Sequence, residues 1–423
     1  MSLAVRDIIE AEPEQVGMSS ARLGWLSDWA QRQIDSKATA GALTMVARHG
    51  KTVHFQTYGS MDEEAGKAMQ ADTIFRIYSM SKPIVSAALM MLYEEGRFQL
   101  DDPAGKFIPE LRDLKVWAGG TVEQPQLREA ARPMTVRDLL MHTGGMPGLY
   151  GIGPGPSPIP LTPVQQLWQK ADIQTLRTDG KDLADMARRI ATVPLQVDPG
   201  ANWIYGLATD MVGYLVEVLS GEPLDRFLQK RMFEPLDMPD TAFSVPEEKL
   251  ERFSACYRPG NRSEPKHVLQ DSPASSPFAR PTKFFSGVAG LTSTASDYMR
   301  FAKMLCNGGE LDGARILSPR TVKLMATNHL PGGADLQAMV RPGGMPGAPG
   351  VGFGLSFGVL FDPAKNQTLG TPGEYYWGGA ASTSFFVSPA DDMVAMFWTQ
   401  LLGGIEYQFG RFLRVLSYQA LID

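Results

Sequence analysis

The chain has 423 residues with a net charge of −6, enough for two or three compact units or one large two-lobed domain, and its composition is that of an ordinary globular protein. The acidic balance argues against a general affinity for nucleic acid or anionic membrane. Two cysteines, Cys256 and Cys306, make no disulfide framework, and five scattered histidines offer no metal-ligand spacing and point to no cofactor.

The first ten residues carry acidic groups and no long apolar core, which argues against a secretory signal. No apolar run is long enough to span a bilayer, so the expectation is a soluble, cytoplasmic protein. Leu23, Leu26, Trp29 and Ile34 recur near helical period and predict an amphipathic helix over residues 20–35. Gly41–Arg48 and Lys51–Tyr58 read as two strands joined by a tight turn at His49-Gly50. Thr73–Ile77 then leads into Tyr78-Ser79-Met80-Ser81-Lys82-Pro83 and a strongly apolar helix.

Thr135–His142 is predicted helical, with Thr135 as N-cap and Asp138 closing a capping box. Residues 143–163 and 331–354 are rich in Gly and Pro and read as irregular loops. Further helices are expected over 183–191, 207–220 and from Thr294 onward. Strands return at 355–361, 383–387 and 393–399, the last two joined by a turn at Asp391-Asp392, and a closing helix covers 408–421. Strands, a long helical insertion and strands again predict an α+β fold. Its terminal strands form one antiparallel sheet flanked by helices, with an inserted, mostly helical lobe. The expected lobes are 1–95 with 280–423, and 96–279, with the apolar helix at their junction.

Ser79-x-x-Lys82 carries the chemistry. Residues three apart share a helix face, so the Lys82 amine can reach the Ser79 hydroxyl. A serine becomes a good nucleophile when a neighbouring base takes its proton, and a buried lysine can be that base. The pattern alone is cheap: Ser263-x-x-Lys266 repeats it in a polar loop with no apolar helix behind it. His142 is a competing base, but a histidine at a helix C-terminus bonding to backbone explains it better, because Lys82 already supplies a base.

Three motifs in order resemble the serine β-lactamase and penicillin-binding-protein superfamily, most closely the class C β-lactamase-like family VIII carboxylesterases. They are Ser79-Met80-Ser81-Lys82; Tyr205, preceded by Pro199-Gly200-x-x-Trp203; and Trp377-Gly378-Gly379 in the place of Lys-Thr-Gly. The resemblance spans nearly the whole chain and implies a β-lactamase/transpeptidase-like fold. It implies Ser79 as acylated nucleophile, Lys82 as its base and Tyr205 as proton relay. It also implies an oxyanion hole from the N–H groups of Ser79 and Ala380, with Trp377, Gly378, Gly379 and Leu207 binding substrate.

The departures are informative. Trp377 replaces the lysine that holds an anionic substrate, and Leu207 replaces the asparagine two residues after the tyrosine. Both changes make the site greasier and suit a neutral, short-chain ester. Competing expectations are a β-lactamase or D-amino-peptide hydrolase with weak β-lactam turnover, an acyltransferase on the same scaffold, and a catalytically silent binder. The expected partner is a small-molecule ester; a homo-oligomer stays open.

Overall fold

A computed structural model of the chain describes residues 8–148, 160–261, 266–340 and 347–423. Parts of both Gly/Pro-rich loops and residues 263–265 of the second Ser-x-x-Lys lie outside the described residues. The helices up to residue 306 are α1 (Ser20–Asp35), α2 (Ser81–Glu94), α3 (Val136–Leu140), α4 (Pro163–Lys170), α5 (Leu183–Ile190), α6 (Ala208–Ser220), α7 (Leu224–Leu228) and α8 (Ala295–Cys306), and shorter ones follow at Pro319–Met325, Leu336–Met339 and Pro363–Asn366. Phe409–Tyr418 forms a C-terminal helix. Among the described residues, no helix is long and apolar enough to cross a membrane.

One eight-stranded sheet organises the molecule. Its strands are β1 (Gly41–Arg48), β2 (Lys51–Asp62), β3 (Lys67–Ala68), β4 (Val351–Phe353), β5 (Gly358–Leu360), β6 (Glu374–Gly378), β7 (Ser384–Ser388) and β8 (Met393–Thr399). They lie in the order β4-β5-β6-β7-β8-β1-β2-β3. Every neighbouring pair is antiparallel, so the first and last thirds of the chain meet at β1 and β8, where Ala42 faces Thr399. His49 and Gly50 both take positive φ, 49° and 73°, the left-handed pair that a two-residue hairpin needs.

The pleat of β8 explains its sequence. Successive side chains point to opposite faces. Val394, Met396 and Trp398 enter the main core, whereas Met393, Ala395 and Phe397 enter a second core under α1 and the C-terminal helix. A strand covered on both faces reads as an unbroken apolar run. On one face Trp29 of α1 sits 5.0 Å from Phe397, ring centre to ring centre. On the other, Tyr298 of α8 packs edge-on against Phe385 at 5.0 Å and Trp398 at 5.7 Å. Such aromatic pairs each add about 0.5–1.5 kcal/mol beyond their buried area.

α3 carries the expected capping box: Thr135 Oγ1 accepts from the Asp138 N–H, and the Asp138 carboxylate accepts from the Thr135 N–H. The strand expected over 355–361 is shorter. Ser356 takes a φ of 75°, and the Gly354 N–H bonds the Phe357 carbonyl, so the chain turns there and pairs β4 with β5. The stretch 96–279 holds α3 to α7 and also two hairpins, Val116–Gly120 with Pro125–Arg128 and Cys256–Pro259 with His267–Asp271.

Candidate active site

Ser79 lies in a single 3-10 turn, Tyr78–Met80, that runs directly into α2. Tyr78 before it has a φ of 43°, a left-handed conformation that a bulky residue holds only when its surroundings impose it. Here its buried ring packs edge-on against Phe278 at 5.6 Å. Lys82 follows in the first turn of α2 and is 1% exposed; Ser79 is 6% exposed. The Lys82 Nζ lies 3.1 Å from Ser79 Oγ and 3.0 Å from the Val288 carbonyl oxygen, to which it donates.

Tyr205 sits in the bend before α6, its ring centre 4.6 Å from Lys82 Nζ. Its hydroxyl accepts a hydrogen bond from the Trp377 indole N–H at 3.1 Å. Rings enclose it: Trp203 stacks at 5.7 Å, Trp377 is tilted at 5.2 Å and His142 at 4.9 Å. Phe353 closes the group against Trp203 and Trp377. The bend needs glycine at 206, because a Cβ there would lie 2.7 Å from the Pro147 carbonyl.

Trp377 and Gly378 end β6, and Gly379 follows. A Cβ on Gly379 would lie 2.4 Å from the Ile77 carbonyl, so only glycine lets the strand end press against the backbone that leads into Ser79. The Gly379 N–H is used by Thr383 at 2.8 Å. No acceptor among the described residues takes the N–H of Ser79 or of Ala380. Two backbone donors are thus left open, one on Ser79 itself and one just after Gly379. The structure thus brings Ser79, Lys82, Tyr205, Trp377 and Gly379 together. Leu207, two residues past Tyr205, is 2% exposed and packs in the main core, as Trp377 does.

His142 is fully buried, and its Nδ1 accepts from the Gly206 N–H at 3.5 Å. Burial first, and the nearby Lys82 charge second, hold it well below the ordinary histidine range, so the ring is neutral and supports the Tyr205 bend. One residue that no motif announces joins the group: Asp210 in the first turn of α6, buried, with its Oδ1 accepting from Ser286 Oγ at 2.7 Å. Its only sequence signal is an acidic residue in the first turn of a largely apolar helix. No set of three or more His, Cys, Asp or Glu side chains able to hold a metal occurs among the described residues.

Residues 26–420 match the family model described as Beta-lactamase. The chain belongs to the beta-lactamase family. It is 34% identical over 369 residues to Protein Rv1367c of Mycobacterium tuberculosis (strain ATCC 25618 / H37Rv), covering 86% of this chain and 87% of that one. It is 31% identical over 392 residues to Esterase EstB of Burkholderia gladioli, covering 88% of each. Among solved structures, "EstCE1, a hydrolase with promiscuous acyltransferase activity" superposes with a TM-score of 0.77 over 94% of this chain and 99% of that one, at 24% identity, which shows the shared fold. The expected α+β, β-lactamase/transpeptidase-like fold is therefore the fold of this family member. By class it is a serine hydrolase.

Proposed function

We propose that the protein is a carboxylesterase that cleaves neutral, short-chain esters through an acyl-enzyme on Ser79. One observation carries the reading: a buried lysine amine 3.1 Å from a buried serine hydroxyl, at the mouth of an apolar helix. Lys82 takes the Ser79 proton as Oγ attacks the ester carbonyl carbon. The N–H groups of Ser79 and Ala380 receive the oxyanion. The tetrahedral species collapses as Tyr205 gives its proton to the departing alkoxide and recovers one from the Lys82 ammonium, and the alcohol leaves. Water then attacks the acyl group as its proton passes to Lys82 by way of Tyr205; the second tetrahedral species expels Ser79 Oγ, which takes that proton back, and the acid leaves. Likeness to EstB supports an esterase on this fold.

Trp377 supports the neutral-ester preference. It offers an apolar face, and its one donor is taken by the Tyr205 hydroxyl, so it has no charge for a substrate carboxylate. An alcohol replacing water in the second step makes the same site an acyltransferase. The rings around Tyr205 suit an apolar acceptor, and added alcohol in the assay reads that branch.

The test is parallel turnover of p-nitrophenyl butyrate and a chromogenic cephalosporin by wild type and Ser79→Ala. The expected result is fast ester cleavage, little cephalosporin cleavage, and loss of both by about a thousandfold or more in the variant. Dominant cephalosporin cleavage contradicts the Trp377 argument. Ester cleavage that survives in Ser79→Ala rejects the nucleophile.

A further inference from the structure

Lys82 cannot aim its own amine. A lysine side chain has four rotatable bonds, so the Nζ position is set by what receives its hydrogen bonds. Besides Ser79, the only hydrogen-bond acceptor it reaches among the described residues is the Val288 carbonyl, 3.0 Å away. Val288 lies in a turn, residues 286–290, far from Lys82 in sequence. What fixes that turn therefore fixes the base.

The turn is clamped from three sides. Within itself, the Gly290 N–H bonds the Ser286 carbonyl and the Ala289 N–H bonds Ser286 Oγ. Toward the nucleophile, the Leu291 N–H donates to Ser81 Oγ and the Ile77 N–H donates to the Leu291 carbonyl. From α6, Asp210 Oδ1 accepts two bonds at once, from Ser286 Oγ at 2.7 Å and from the Val288 N–H at 3.0 Å. The approach is close enough that a Cβ on Gly287 would lie 2.4 Å from the Thr209 carbonyl. Asp210 has no exposed surface, and its Oδ2 has no hydrogen-bond partner.

We propose that Asp210 is a positioning residue for the Ser79 site: it grips the turn through the Val288 N–H, so that the carbonyl of that residue holds the Lys82 amine against Ser79. The proposal rests on the acyl-enzyme reading above.

The charge matters as well as the geometry. The turn carries no titratable side chain, and α2 presents Lys82 as the charged group acting on Asp210. On the far side of Lys82 are Tyr205 and the neutral His142. Burial raises the Asp210 carboxyl to about 7, with Ser286, the turn N–H groups and Lys82 each opposing that rise. Near neutral pH the site therefore gains or loses one negative charge beside its base.

The experiment is the rate of Ser79 labelling by a fluorophosphonate probe across pH 5–9, with ester kcat and KM in parallel, for wild type, Asp210→Asn, Asp210→Ala and Ser286→Ala. Asp210→Asn keeps an oxygen to receive both bonds and removes the charge. Its profile is expected to lose the inflection that the wild-type carboxyl contributes near pH 7, with KM unchanged. Asp210→Ala loses the grip, and labelling and kcat are expected to fall about tenfold to a hundredfold at every pH. Ser286→Ala, which removes one of the two bonds, is expected to fall less in the same direction; it keeps the test decisive if the Asp210 variants do not fold. Wild-type pH profile in Asp210→Asn, or wild-type kcat in Asp210→Ala or Ser286→Ala, overturns the proposal while the Ser79 reading stands. Absence of Ser79 labelling in wild type overturns the Ser79 reading and the proposal with it.

Discussion

Ser79 and Lys82 are held by hydrogen bonds, whereas Tyr205 and Trp377 are held by rings. The first pair sits among peptide groups and hydroxyls: the Val288 carbonyl takes the Lys82 amine, and the Leu291 peptide bonds Ser81 Oγ and the Ile77 N–H on either side of Ser79. The second pair packs among Trp203, Phe353 and His142, with a single hydrogen bond between the Trp377 N–H and the Tyr205 hydroxyl. Hydrogen bonds fix direction, which a proton-transferring pair needs. Packed rings fix shape and exclude water, which selects among substrates. On the proposed reading, chemistry and selectivity rest on separable contacts.

Breaking the polar half is expected to have the largest effect. Lys82→Met keeps the length and removes the base, and kcat/KM for p-nitrophenyl butyrate is expected to fall about a hundredfold to ten-thousandfold, the usual worth of a general base. Retained turnover in this variant would leave His142 as the base and collapse the distinction between the halves. Tyr205→Phe comes next. It keeps the ring packing and deletes the hydroxyl, so kcat is expected to fall about tenfold to a thousandfold while the melting temperature changes little. A fall in stability with kcat intact would make Tyr205 a packing residue.

Trp377→Lys probes the ring half alone. The ratio of kcat/KM for an anionic ester to that for a neutral ester of equal length is expected to rise, because an ammonium now faces the substrate. An unchanged ratio removes Trp377 from the selectivity argument. The smallest effect belongs to a control on α6 outside the site. Burial lifts the Glu217 carboxyl from 4.5 to about 7. A raised carboxyl contributes fully below its unfolded value, and that contribution is lost as pH rises through the folded one. Glu217→Gln is therefore expected to be more stable than wild type at pH 8, by on the order of 1 kcal/mol, and no more stable at pH 4. Ester turnover is expected to stay at the wild-type level, because among the described residues the Glu217 carboxylate bonds only the Leu224 N–H. Thermal melts at the two pH values check it.

What the sequence made legible was local or periodic. The apolar run Met393–Thr399 marks a strand buried on both faces, Thr135 and Asp138 mark a helix start, and the spacing of Ser79 and Lys82 marks a contact within one turn. The hairpin of Val116–Gly120 with Pro125–Arg128 left no such mark, because its second strand is solvent-exposed throughout and needs no apolar alternation. The break at Ser356 depends on a left-handed backbone that serine does not advertise. The clamp of Asp210 on the turn 286–290 joins residues more than seventy positions apart, so no spacing rule could reach it. The Trp377–Tyr205 hydrogen bond, which spans 172 positions, was hidden for the same reason.

The central claim, that Ser79 is acylated, is tested most directly by mass spectrometry of the intact protein quenched in acid during turnover of p-nitrophenyl butyrate. A mass increase of one butyryl group, mapped to the peptide that contains Ser79 and missing from Ser79→Ala, is the predicted result. Rapid release of p-nitrophenol with no adduct on that peptide, or with the adduct on another residue, would contradict the account.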